Sequence, residues 1–462
     1  MKFLNDKRWL FAFILLISIL AGISNFLEPA NMLVTASIGL SLIVVIFGSE
    51  MAILYLLIAL CPFYASLRIG HLYVGFIIPL LMIGKLLIRP SKKQSPVLIF
   101  LSSVFFIIWF FHDIQFVTFA TGFFRLLVPI CIFIYIYKRK FEDYDGYYAM
   151  WIVVATTLIS MICIFMVQGG NFDAFISASY VGEMRLGEAD TEEGQKNQLG
   201  GAMGFPIYTI IIVSLLLQML LTRKFKLWVK IFIVTIIVIL FFVTFLTISR
   251  VYLLGLLTLS LLLVLHMSKS RSFSTLIGLF GGGLLLLVIA SLYLDNYIND
   301  IIDNYLVRIT GDGDNSGTGI RGLIYYDCIN FLSENTECLL IGKGSSAYPY
   351  LGQSMGRLFG MSAHNIVLDA IMSFGLYGFF FLIYIYRYSY KKEKLRIGIS
   401  WSVFRIIPLA CYIMMNMTAT PFLLDKTYPM LLFMVLNIIH CTDNTKYNPK
   451  WALANNITYK KI

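Results

Sequence analysis

The chain has 462 residues, of which 59% are hydrophobic and only 13% charged, and its mean hydropathy is +0.82. A soluble globular domain is ~25% charged, so this chain has too few polar groups to cover its own surface in water, which excludes a soluble protein and a nucleic-acid-binding domain of the usual kind. The net charge of +11, from 36 Lys+Arg against 25 Asp+Glu, has to be located before it is interpreted, because basic residues of membrane proteins collect on the cytoplasmic side.

A bilayer core of ~30 Å takes roughly 20 apolar residues per helix, and such runs recur along the chain. In order they are Trp9–Leu27, Met32–Phe47, Met51–Leu67, Leu72–Ile88, Val97–Phe111, Phe123–Tyr137, Tyr147–Val167 and Ala202–Leu221. They continue with Trp228–Thr247, Val251–Met267, Ser274–Leu294, Ile366–Tyr386, Trp401–Thr418 and Tyr428–Cys441. Barrel strands would alternate in polarity and be about half as long. The expected fold class is an all-α polytopic integral membrane protein with about 12–14 transmembrane helices.

Basic clusters fall on every second junction: Lys2/Lys7/Arg8, Arg89/Lys92/Lys93, Lys138/Arg139/Lys140, Arg223/Lys224/Lys226/Lys230, Lys269/Arg271, Arg387/Lys391/Lys392/Lys394/Arg396 and Lys446/Lys450/Lys460/Lys461. The positive-inside rule then places both termini in the cytoplasm. Only the inside junction near Glu50 has no Lys or Arg of its own. The first span follows basic residues but is long, is not followed by an A-x-A site and leads directly into more spans, so it reads as a retained anchor.

The expected organisation is an N-terminal transmembrane bundle at 1–167, a first large extracytoplasmic loop at 168–198 and central helices at 199–294. A second large extracytoplasmic loop at 295–363, C-terminal helices at 364–441 and a cytoplasmic tail at 442–462 complete it. Long loops are where binding and chemistry concentrate, so the work is expected on the outer face. Matching broken helices in two halves, the mark of a transporter built on inverted repeats, are not evident.

Cys61, Cys131, Cys163 and Cys411 lie in apolar spans as packing residues, and Cys441 ends the last span. Cys328 and Cys338 share the large outer loop, where the compartment permits a disulfide that sequence alone does not establish. There is no CxxC pair, and the acidic, glycine-rich run Gly311–Gly317 lacks the closing Glu of a calcium loop. No P-loop or dinucleotide-binding glycine pattern is present, and Gly281-Gly282-Gly283 sits inside an apolar span. No metal site and no cofactor are expected.

Three polar residues on the outer side need explaining. Arg250, in Thr247-Ile248-Ser249-Arg250-Val251, is flanked by apolar sequence on both sides, and a charge at that depth is costly unless paired or interfacial. Arg321 follows the polar linker in Gly319-Ile320-Arg321-Gly322, and a guanidinium fork is suited to gripping phosphate. His364 stands where the large loop re-enters the membrane, in Ser362-Ala363-His364-Asn365, where an imidazole can act as a general base near neutral pH. Each also has an ordinary reading, as a snorkelling, loop or interfacial residue.

Taken in order, these residues resemble the O-antigen ligase/polymerase family of bacterial membrane glycosyltransferases. The similar elements are Ser249-Arg250 between two spans, Arg321 opening a loop helix, Ile341-Gly342-Lys343-Gly344, Ala363-His364-Asn365 with Leu368, and Gly375-Leu376-Tyr377-Gly378. Lys196-Asn197-Gln198-Leu199-Gly200 is similar to the family's Asn-containing entry to a span. Tyr325-Tyr326 stands where the family often has Trp, and Gln198 where it often has Pro.

The resemblance implies a GT-C-like membrane glycosyltransferase in the bacterial cytoplasmic membrane, acting without metal on an undecaprenyl-diphosphate-linked oligosaccharide donor. Arg321 and Arg250 would hold the diphosphate, and His364 would take or orient the acceptor proton. Arg185, Asn197, Asn365 and Tyr325 would contribute to substrate binding. The implied partners are the lipid-linked donor and acceptor, the bilayer, a chain-length regulator and a flippase, with no nucleic acid. A polymerase of O-antigen or capsule repeat units and a ligase are both open within the family. A lipid-linked oligosaccharide flippase is the reading from another class, for which Lys85, Arg125 and Arg405 would be the path-lining charges.

Overall fold

The computed structural model describes residues 6–24, 30–63, 67–69, 72–73, 78, 81, 84–85, 103–104, 107, 145–167, 188–189, 196–197, 201–222, 225–245, 250–267, 317–343, 363, 365–397 and 407–417. These are almost entirely helical. The helices are α1 (Lys7–Ile23), α2 (Ala30–Phe47), α3 (Glu50–Leu60), α4 (Asp145–Val167), α5 (Gly201–Thr222), α6 (Leu227–Phe245) and α7 (Arg250–Met267). After them come α8 (Gly317–Glu334), α9 (Cys338–Ile341), α10 (Ile366–Ile397) and α11 (Ile407–Asn416). Two antiparallel ribbons of two-residue strands, β1 (Arg68–Ile69) with β2 (Leu72–Tyr73) and β3 (Glu188–Ala189) with β4 (Lys196–Asn197), are the exceptions to the all-α expectation.

Apolar runs become helices here because a backbone in lipid has to satisfy its own hydrogen bonds. The stretches Asp145–Cys163 and Leu227–Phe245 are long and apolar enough to cross a membrane by length and composition. Shorter apolar helical stretches are Asn31–Phe47, Glu50–Phe63, Pro206–Leu217, Val251–Val264 and Ile366–Phe381. The expected spans Phe123–Tyr137, Ser274–Leu294 and Tyr428–Cys441 lie outside the described residues, as do Arg125, Arg405, Gly281–Gly283 and the tail at 442–462.

Two groups of helices meet at α4 and α5. In the first, α1 packs on α2, α3 and α4, and α3 packs on α4. Asp145, only 4% exposed at the head of α4, is matched rather than stranded there. It accepts from Tyr55 Oη at 3.1 Å and lies 3.6 Å from Lys7 Nζ, which also sits over the Tyr148 ring. In the second group α5 packs on α6, α7 and α11, and its residues Ile207, Tyr208, Ile210 and Ile211 are all fully buried. The C-terminal part follows from α11 to α10, against which α8 and α9 lie.

The junction near Glu50 obtains its cation through space. Lys85 Nζ donates to the carbonyl oxygens of Val45 at 2.6 Å, Ile46 at 3.1 Å and Gly48 at 3.1 Å, at the C-terminal end of α2. Such carbonyls have no partner within their helix, and a cation there also opposes the helix dipole favourably. Lys85→Met is expected to lower the unfolding free energy by about 1–3 kcal/mol through the unmet acceptors, read as a lower thermal midpoint of the detergent-purified protein. An unchanged midpoint would remove the capping role.

Candidate active site

Helix α8 is held by one face. Ile324, Cys328 and Phe331 are buried with Cys338 of α9, with Ala363 and with Met372 of α10 in a single apolar cluster. Leu323, Tyr326 and Ile329 lie on the opposite, exposed side of α8. This cluster brings together segments that are far apart in sequence and joins the helix that carries Arg321 to the residue immediately before His364.

A backbone contact completes the arrangement. The Lys343 amide donates to Met372 O at 2.8 Å. Gly342 (φ 71, ψ −170) faces Ser373 and the Phe374 amide, and Gly375 (φ 63, ψ −156) faces the Leu340 carbonyl and the Ile341 amide. Both glycines occupy a region of φ/ψ space that is essentially closed to other residues. A Cβ at either would collide with the partner's backbone, so the two glycines form a close dovetail between the end of α9 and the kink that divides α10. Lys343 Nζ lies 5.5 Å from the Phe331 ring centroid, adding a contact between the turn and α8.

The α10 N-terminus is built from its own side chains. Asn365 Oδ1 accepts from the amides of Val367 at 3.0 Å and Leu368 at 3.2 Å, capping the helix. Its oxygen is therefore committed locally, and a substrate contact from Asn365 would use the amide nitrogen. Asp369, one turn on and fully buried, accepts from the Ala363 amide at 2.9 Å. The sequence reading missed Asp369, although an Asp inside an otherwise apolar run was a usable signal.

Arg250 is the first residue of α7 and Arg321 lies near the start of α8, in register with Tyr325 one turn later; Tyr325 is half-buried. Tyr252 Oη of α7 donates to Phe241 O of α6 at 2.9 Å, and Val251 and Tyr252, which follow Arg250, are buried. α7 reaches the α10 region through α11. Asn197 is in β4, opposite Glu188. His364 and Arg185 lie outside the described residues.

Residues 235–383 match the model of a family described as O-antigen ligase. The match supports a likeness of this segment to the O-antigen ligase/polymerase family. No curated protein matches the chain. Members of the family are membrane proteins of glycosyl transfer that act on lipid-linked oligosaccharides. The matched segment takes in Arg250, the α8 helix, the Gly342–Gly375 dovetail and the Asn365 cap, so the packed cluster lies wholly within it.

Cys328 and Cys338, both within the matched segment, are free and buried. Burial pushes the Cys328 thiol up to about 12, with the charges of Asp369 and Asp327 adding to the effect. Cys328 is thus a protonated apolar packing residue at neutral pH, which answers the question of a disulfide with Cys338 in the negative for this structure.

Proposed function

We infer that the protein is a polysaccharide polymerase, transferring glycan from undecaprenyl diphosphate to an acceptor sugar hydroxyl at the outer face of the bacterial cytoplasmic membrane. The observation that carries this reading is the convergence, inside the matched segment, of the Arg321 helix, the Gly342 turn and Ala363, the residue before His364. The placement of the candidate residues supports it. Arg250 heads α7, Arg321 lies near the start of α8, and His364 precedes α10. A helix N-terminus disfavours a cation and favours an anion, so Arg250 at the head of α7 suits a bound anion better than a structural role.

In this mechanism Arg321 and Arg250 hold the diphosphate while the acceptor oxygen attacks the anomeric carbon. The bond to diphosphate breaks with its electron pair, and fixed guanidinium groups stabilise the charge that develops on the leaving group. Direct displacement gives inversion at the anomeric carbon. His364 takes the proton of the attacking hydroxyl.

The divergence at Tyr325-Tyr326 and Gln198 favours a polymerase, each of which has to fit its own repeat unit. The family description itself favours ligase as the second reading. For a flippase, one of its proposed path charges, Lys85, is engaged in capping α2. Deleting the gene and sizing the surface polysaccharide separates the first two. A single repeat unit on each lipid anchor is the polymerase outcome, whereas full polymer retained on undecaprenyl diphosphate means ligase.

A further inference from the structure

Helix α8 buries one side and leaves the other open. Ile324, Cys328 and Phe331 anchor it in the apolar cluster. On the opposite side Tyr326 is 59% exposed, between Leu323 and Ile329, which are exposed as well. Three apolar side chains at a spacing of three form one contiguous patch rather than scattered exposure. Gly322 lies one helical turn before Tyr326 and shares its face. A Cβ there would meet nothing within 4 Å, so the helix surface beside the tyrosine ring is open. The turn that follows is polar: Asn330 is half-buried, and Ser333 and Glu334 are exposed. Ser333 Oγ donates to Asn330 O at 2.8 Å, which leaves its oxygen to accept, and the Glu334 carboxylate accepts as well. A flat aromatic face followed by acceptors along one helix suits a ligand with an apolar face and hydroxyl edges. A hydrocarbon chain would match only the first half of that surface, since it would desolvate the acceptors of the second.

We propose that the open side of α8 is a glycan-binding face, with Tyr326 the platform on which a sugar ring of the repeat unit stacks and with Ser333 and Glu334 accepting from its hydroxyls. This rests on the glycosyltransferase reading and deepens it, by assigning the sugar part of the substrate to a surface. Arg321, the residue proposed to hold the diphosphate, is five residues earlier on the same helix, a rise of ~7.5 Å. The platform therefore falls at the first sugars of a glycan whose diphosphate is held at Arg321. Stacking of this kind acts alike on the bound substrate and the transition state, so it lowers KM and leaves kcat nearly unchanged. Tyr326 is thus a binding residue, and the anchored opposite side of α8 keeps its ring in a fixed place.

The test uses purified full-length protein and two probes: the undecaprenyl-diphosphate-linked repeat unit for turnover and the lipid-free repeat-unit oligosaccharide for binding. Tyr326→Ala and Tyr326→Leu are expected to raise KM and to weaken oligosaccharide binding by on the order of tenfold, with kcat nearly unchanged. Tyr326→Phe and Tyr326→Trp keep an aromatic face and should stay close to wild type. Gly322→Leu leaves Tyr326 in place but fills the space beside its ring, so it should weaken binding by a similar factor. Leucine is the better helix former, so that loss would not come from unfolding of α8. Wild-type affinity and KM in Tyr326→Leu, with only Tyr326→Ala impaired, would mean that the face takes an apolar chain and would overturn the proposal. A wild type that does not bind the oligosaccharide, or binding indifferent to Tyr326 and Gly322 while transfer is normal, would overturn it too and leave the glycosyltransferase reading standing. Tyr326-dependent binding by a wild-type protein that transfers nothing would support the glycan face and overturn the reading on which it rests.

Discussion

Arg321→Ala is expected to slow glycan transfer by about 10²–10³-fold, the usual loss when one fixed electrostatic stabiliser of a transition state is removed. The reason lies in where the charge develops. The diphosphate gains negative charge as the anomeric bond breaks, so a cation aimed at it acts more strongly on the transition state than on the bound substrate. kcat and kcat/KM should therefore fall together, with a smaller change in KM. The fold should survive, because α8 is anchored through Ile324, Cys328 and Phe331. Arg321→Lys is expected to recover only part of the rate, since an ammonium restores the charge without the planar fork. Full-rate transfer by Arg321→Ala would remove the residue from leaving-group stabilisation.

Gly375→Ala should be nearly as damaging by a different route. Gly375 has φ 63 and faces the backbone of Leu340 and Ile341. Alanine there carries a conformational cost of about 1–3 kcal/mol before any collision is counted, and its methyl group would push the Gly342 turn off α10. The turn is linked to the apolar cluster of α8 and Ala363, so the displacement is transmitted to both candidate catalytic segments. A misplacement of ~1 Å at reacting groups can cost on the order of 10²-fold in rate. A lower thermal midpoint together with at least tenfold slower turnover of the folded fraction is the expected result. Wild-type values for both would mean that the dovetail does not position the site.

Much of the helical framework is legible from hydropathy. Helix α5 at Gly201–Thr222 and α6 at Leu227–Phe245 agree with their predicted spans to within two residues at each end, because lipid leaves an apolar backbone no other regular choice. The departures have local causes. α3 stops at Leu60, short of the expected Leu67, where Cys61–Phe63 tightens into a 3-10 turn containing Pro62, which has no N–H to donate. α10 runs on to Ile397 past the predicted Tyr386, since the Lys and Arg residues of its tail are good helix formers.

The site was legible only as an ordered set of short motifs. Nothing local in Ile341-Gly342-Lys343 or in Gly375-Leu376-Tyr377 says that the two meet; that depends on two positive-φ glycines and close backbone packing. Asn365 was expected to contribute to substrate binding; that its oxygen also caps α10 was not foreseen. Lys85 was a path-charge candidate and is engaged by three carbonyls contributed by a distant helix end. In each case the deciding partner is a backbone group, which sequence patterns do not identify.

The most direct measurement is reconstitution of the purified full-length protein in liposomes with undecaprenyl-diphosphate-linked repeat units, a chelator and no other protein, followed by mass analysis of the lipid products. A ladder of longer lipid-linked glycans, with one free undecaprenyl diphosphate released for each new bond, is the predicted result. Repeat units that remain single, whether or not they change leaflet, would contradict it.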